Sequence, residues 1–176
     1  MNLLLGVTGS HPDASAGVIK HLQAFGVYIK VVAANRPARR SKQVRLPTSI
    51  IVDSADPAKT CQQLIAWADV LAMLPLTAPA LARVSMGVCD DLPSQLIRAW
   101  DLQRPLLLFL CIDEVTWSHP STAAHIKSVE TWGAEVHRVP PKLFCQPWTE
   151  AQKLDVWKVV DVIMSRLTAE QLLLPE

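Results

Sequence analysis

The strongest constraint in this chain is a pair of unbroken apolar runs, "DVLAMLP" at 69–75 and "PLLLFLC" at 105–111. Neither alternates polar with apolar residues, so a strand built from either must be covered on both faces. Further short apolar runs, "NLLLGVT" (2–8), "VYIKVVAA" (27–34), "SIIVD" (49–53) and "EVHRV" (135–139), read as strands. Helical patterns lie between them. Residues 13–25 space Val18, Ile19, Leu22 and Phe25 at helical intervals and stop at Gly26. Residues 57–67 turn Leu64, Ile65 and Trp67 toward the core, and two helices broken near Gly87 and Pro93 separate the two long runs. Helices over 120–132 and 149–167 complete the set. Strand–helix alternation of this kind predicts a parallel, doubly wound sheet: an α/β, Rossmann-like (flavodoxin-like), three-layer α/β/α fold. With no internal repeat and no linker, one domain over 1–176 is expected.

Bulk properties remove several function classes. The chain has 176 residues, half of them hydrophobic, so folding can bury about 70% of the unfolded surface, which argues against disorder. A net charge of +1 argues against a nucleic-acid surface. The one basic cluster, "NRPARRSKQVR" at 35–45, reads as a solvated loop, with an anion site as the alternative. "MNLLLGVTGS" lacks the charged start of a signal peptide, and no run of about 18 uncharged apolar residues exists, so neither a signal peptide nor a membrane span is expected. Cys61, Cys89, Cys111 and Cys145 are far apart with no C-x-x-C pair, so free thiols in a reducing cytoplasm and no metal site are expected.

Ligands on such sheets bind beyond the carboxyl ends of the strands. The loops at issue are then 8–13, 34–41, 75–80 and 111–119. "GVTGS" after the first strand offers small residues, a hydroxyl and backbone N–H groups beside a helix start, which suits a phosphate. It is neither G-x-G-x-x-G nor a Walker loop, and a plain tight turn fits it equally. "LFLCIDEVTWSHP" (108–120) brings Cys111, Asp113, Glu114, Trp117 and His119 into one strand exit. Trp67, Trp100 and Trp117 read as core or interface aromatics, with Trp117 bordering a ligand. His119 reads as a structural residue before Pro120, Cys89 as core and Cys111 as packing. Cys61 is open between an inert buried thiol and a nucleophile or acid.

Taken together, "LLLGVTGS", "WADVLAMLPLTAPALARVSMGVCDDL", "TWSHP" and "KLFC" follow one another in a familiar order. From about residue 2 to 145 the chain resembles the FMN-dependent cysteine decarboxylases. That group includes phosphopantothenoylcysteine decarboxylase and the enzymes acting on C-terminal cysteines of modified peptides; flavin prenyltransferases are more distant relatives. Gly87, Cys89, Asp90 and Leu92, with Trp117 to Pro120, anchor the alignment. The resemblance implies a Rossmann-like subunit that forms trimers, or dodecamers of trimers, with FMN at subunit boundaries. It also implies flavin oxidation of a substrate thiol to a thioaldehyde, loss of the adjacent carboxylate as carbon dioxide, and an enethiol product.

Position by position, the resemblance assigns Gly9 and Ser10 to the phosphate-side turn. It assigns Thr77 and Ala78 to the flavin-touching loop, where Pro79 and Ala80 stand in place of an Asn-Thr pair and remove two polar side chains and one N–H. Met86 and Asp91 each stand where relatives carry Asn, and Arg36 offers a cation for the FMN phosphate. The histidine position falls on Cys61, and the substrate-holding asparagine of "P-x-M-N-x-x-M-W" falls on Asp113, with Trp117 retained. Cys145 matches the cysteine of a substrate-clamping flap, without the glycine-rich segment that follows it in relatives. Catalytic candidates are therefore Cys61, Asp113 and Cys145. An ionised Asp113 would repel a substrate carboxylate, and only a raised pKa would relieve that.

Two functions follow. The first is an FMN-dependent decarboxylase acting on a small thiol or a peptide ending in cysteine. The second is a non-catalytic relative serving as a binding or assembly subunit, alone or with a paralogue.

Overall fold

The computed structural model describes residues 1–8, 15–34, 50–51, 56–140 and 150–173. Six strands form one parallel sheet: β1 (Asn2–Val7), β2 (Tyr28–Ala33), β3 (Ile50–Ile51), β4 (Val70–Leu76), β5 (Leu106–Leu110) and β6 (Glu135–Arg138). Their order is β3-β2-β1-β4-β5-β6. The chain therefore turns outward in both directions from the β1/β4 pair, and the reversal leaves a crevice at their carboxyl ends. β4 and β5 are buried along their whole length, as their unbroken apolar sequences require.

Each face of the sheet carries its own core. On one side, α1 (Ala16–Ala24) and α7 (Glu150–Leu173) place Val18, Ile19, Leu22, Val156, Val160 and Ile163 against Leu3, Leu5, Val31 and Phe109. On the other, α2 (Pro57–Trp67), α3 (Ala78–Ser85), α4 (Leu92–Ala99) and α6 (Pro120–Thr131) cover Leu4, Leu71, Met73 and Leu108. The helix starts are written in the sequence. Asp56 accepts from the Lys59 N–H ahead of α2, Asp91 and Ser94 close a capping box on α4, and the His119 ring accepts from the Ser121 N–H on α6. Each satisfies a donor that the first helical turn cannot. Proline follows each of these three caps and is tolerated there, where no intrahelical N–H is needed. His119 is thus a cap, in line with its structural reading.

Three differences from the sequence reading have local causes. The segment after β5 is not all loop: Glu114–Ser118 forms a short helix, α5, started by Asp113. The last helix runs on to Leu173, past the expected stop near 167. Cys89 is half-buried rather than core; its thiol donates to the Gly87 carbonyl at 3.3 Å in the turn between α3 and α4. The expected strand residues 49, 52 and 53, the helix start at 13–14 and the basic cluster at 35–45 lie outside the described residues.

Candidate functional site

Pro75 sits inside β4, where it has no N–H to give its neighbour, and the β4–β5 register shifts between Met73 and Leu76. The carbonyl freed there is used by β1. Thr8 donates to the Pro75 carbonyl through both its N–H (3.1 Å) and its hydroxyl (3.0 Å). The same hydroxyl accepts from the Thr77 N–H at 3.0 Å. Only 5% of Thr8 is exposed, so these bonds are largely withdrawn from water. The Cys111 N–H donates to the Leu76 carbonyl at 3.1 Å, and the Val139 N–H to that of Leu110 at 2.9 Å. Four strand exits, those of β1, β4, β5 and β6, are therefore tied edge to edge along the carboxyl end of the sheet. Thr8 was missed by sequence reasoning; its one signal is a hydroxyl closing an otherwise apolar run.

Two helices begin at this crevice, α1 behind the buried Ser15 and α3 behind Thr77. Thr77 caps α3 without spending its side chain on a cap bond, and Pro79 occupies the first turn. By helix geometry the N–H groups of Ala78 and Ala80 have no intrahelical acceptor, so they and the Thr77 hydroxyl are the donors this turn presents. Thr77 and Ala78 are half-buried. Donors grouped in this way suit the polar edge of a planar cofactor such as a flavin. Gly9, Ser10 and Arg36 lie outside the described residues, as does Cys145.

On the next exit, Asp113 is committed to its own chain. Its carboxylate accepts from the Thr116 N–H at 2.9 Å and the Thr116 hydroxyl at 2.8 Å. Those two bonds, the backbone one first, hold the exposed carboxyl below the usual carboxylate range. The sequence reading asked for a raised pKa if Asp113 were to accept a carboxylate; the shift runs the other way, and Asp113 is ionised at neutral pH. Beside it the Arg138 guanidinium lies over the Trp117 ring, 4.6 Å from its centroid, and pairs with Glu114. Arg138 is a second residue that sequence reasoning passed over; it lay inside the short strand expected over 135–139.

Cys61 is placed elsewhere. It lies on the second turn of α2, 6% exposed, in the apolar cluster with Leu64, Leu81 and Leu96. Burial pushes its thiol pKa up, so the neutral form persists at physiological pH. The site therefore joins Thr8, Thr77, Ala78, Asp113, Trp117 and Arg138 on one row of strand exits, while Cys61 stands back in a helix core. Among the described residues no cluster of side chains could hold a metal ion, and no helix is long and apolar enough to cross a membrane.

Comparison with known proteins gives the chain's relatives. The Flavoprotein family profile matches residues 1–168. Phosphopantothenoylcysteine decarboxylase of Mus musculus is 30% identical over 95% of this chain and 85% of its own length. Among solved structures, the FMN binding protein AtHal3 superposes with a TM-score of 0.70 at 25% identity, covering 93% of this chain and 97% of that one. The FMN-dependent cysteine decarboxylase SpaF superposes at 0.63 and 24% identity, covering 78% of this chain and 83% of its own; that likeness concerns the fold alone.

Proposed function

The chain belongs to the Flavoprotein family, and from that premise we propose that it binds FMN and oxidatively decarboxylates a cysteine carboxylate. The substrate is a peptide C-terminal cysteine or a phosphopantothenoylcysteine-like thiol. The observation that carries this reading is the stapled crevice at the β1/β4 switch point, with Thr77 and the α3 N-terminus facing it. Gly9, Ser10 and Arg36 hold the phosphate end in this reading, Thr77 and Ala78 the ring edge, and Trp117 closes one side. Bound FMN supplies the two-electron oxidation of the thiol-bearing carbon that allows carbon dioxide to leave.

The chain's own residues then orient the substrate and exclude water. Asp113 cannot receive the substrate carboxylate, being ionised and already bonded to Thr116. Arg138 can: its pair with Glu114 is exposed, and exposed pairs contribute only about 0–1 kcal/mol, so an incoming carboxylate can take Glu114's place. Cys61 contributes packing and a neutral thiol, and Cys145 belongs to the flap of the same reading. Assembly into trimers or dodecamers, and a cytoplasmic setting for the free thiols, are parts of it too.

A second reading has its own support. With Asp113 locked as a cap and Cys61 buried where relatives carry a histidine, a substrate-holding amide and an acid–base group worth about 10²–10⁴ in rate are both missing. On that ground the chain is a flavin-binding or assembly subunit without turnover. One experiment separates the readings: load the protein with FMN, desalt, record the visible spectrum, and assay carbon dioxide release from cysteine-ended peptides and phosphopantothenoylcysteine. Retained flavin with release supports the enzyme. Retained flavin without release from any thiol supports the flavin-binding subunit, and loss of flavin on desalting overturns the enzyme and leaves only an assembly role.

A further inference from the structure

Away from the flavin pole, at the amino ends of β5 and β6, the structure holds a second cavity of about 220 Å³. Trp100, the C-cap of α4, and Trp132, the C-cap of α6, form two of its walls, and Val84 and Ile97 line its floor. A dry cavity of about 150 Å³ is enough for benzene, so this one has room for a ring and a short arm. Its polar groups are nearly all spent. The Ser94 hydroxyl donates to Asp91 at 2.7 Å, and the Cys89 thiol to the Gly87 carbonyl at 3.3 Å. One strong donor is left: the Arg98 guanidinium, which pairs with no carboxylate among the described residues.

That cation belongs to an exposed side chain and lies against the turn that follows α3. Gly87 adopts φ +77°, and a Cβ there would stand 2.8 Å from Arg98 Nη1, so the glycine both makes the turn and leaves space for the guanidinium. Around the mouth, Val88 and Leu102 are 40% and 45% exposed, apolar surface that an occupant would cover. Apolar aromatic walls with a single cation at the rim match one ligand chemistry. We infer that this cavity binds a small amphipathic carboxylate, a single aromatic ring or short alkyl chain ending in an acid, independently of the flavin crevice.

The test uses the full chain labelled with 5-fluorotryptophan and fluorine NMR, with 3-phenylpropanoate and hexanoate as acids and 3-phenylpropanamide as the neutral isostere of the first. The Trp100 and Trp132 resonances, assigned by Trp→Phe substitution, should move saturably with either acid. The amide should bind about tenfold more weakly, the least expected for losing a hydrogen bond to a charged group. Arg98→Gln should bring acid and amide to equal affinity without altering the unliganded spectrum. Ile97→Phe, which fills the floor, should weaken both. Three results overturn the inference: no saturable shift with either acid, equal binding of acid and amide to the unaltered protein, or tryptophan shifts that follow protein concentration rather than ligand, as when a second copy fills the cavity.

Discussion

Replacing Thr8 by valine keeps the shape of the side chain and removes the hydroxyl that ties β1 to β4. The Pro75 carbonyl retains the Thr8 N–H, so the loss there is one hydrogen bond of about 0.5–1.5 kcal/mol. The Thr77 N–H is left in a part-buried position without an acceptor, at about 1–3 kcal/mol. The added methyl returns roughly 0.8 kcal/mol, so the net cost is about 2 kcal/mol, or a fall in Tm of about 4–8 °C for a chain of this size. Thr8→Ser keeps both bonds and loses only a buried methyl, costing about 1 kcal/mol. Urea denaturation of flavin-free protein gives the two stabilities, and amide exchange at Thr77 gives the local effect. The staple argument fails if Thr8→Val costs no more than Thr8→Ser while the Thr77 amide keeps its protection.

Three further outcomes are expected. Arg104 donates from Nη1 to the Ile65 and Ala68 carbonyls (2.9 and 2.7 Å) at the end of α2, so Arg104→Met should destabilise by about 2–3 kcal/mol in urea, with Arg104→Lys intermediate. Cys61, its thiol pushed up by burial, should alkylate more slowly than Cys89 or Cys111 at neutral pH and gain rate only as pH rises above the ordinary thiol range; peptide mass spectrometry of partial labelling reads this directly. His137 is stacked on Phe109, and burial chiefly holds its imidazole below the usual value. An unfolded chain then binds the proton first, so stability is full above about pH 6.5 and falls as pH drops through the folded value. His137→Phe should flatten that acid limb in denaturation series run from neutral to mildly acidic pH.

The sheet was legible because its information is one-dimensional. Unbroken apolar runs and capped helices name the strands, the layers and the carboxyl-end loops without reference to any contact. The site was less so. Thr77, Ala78 and Trp117 could be placed on the crevice by loop position, yet Thr8 matters through a partner 67 residues away, which no local pattern reveals. Arg138 is chosen by the ring it covers, and Trp117 reaches it only once β6 pairs with β5. The direction of the Asp113 shift turned on α5, a five-residue helix too short for periodicity to show.

Asp113 and Thr116 form a single hydrogen-bonded unit. Each carboxylate oxygen meets one Thr116 group, the backbone N–H on Oδ1 and the hydroxyl on Oδ2, so the acid and its threonine partner define each other's surroundings. Asp113→Asn alone would supply an amide but turn its NH2 end toward a hydroxyl that now donates to the carboxylate. A donor-bearing loop therefore takes changes at two positions rather than one. Asp113→Asn and Thr116→Met should therefore be non-additive, each alone destabilising the loop more than the two together.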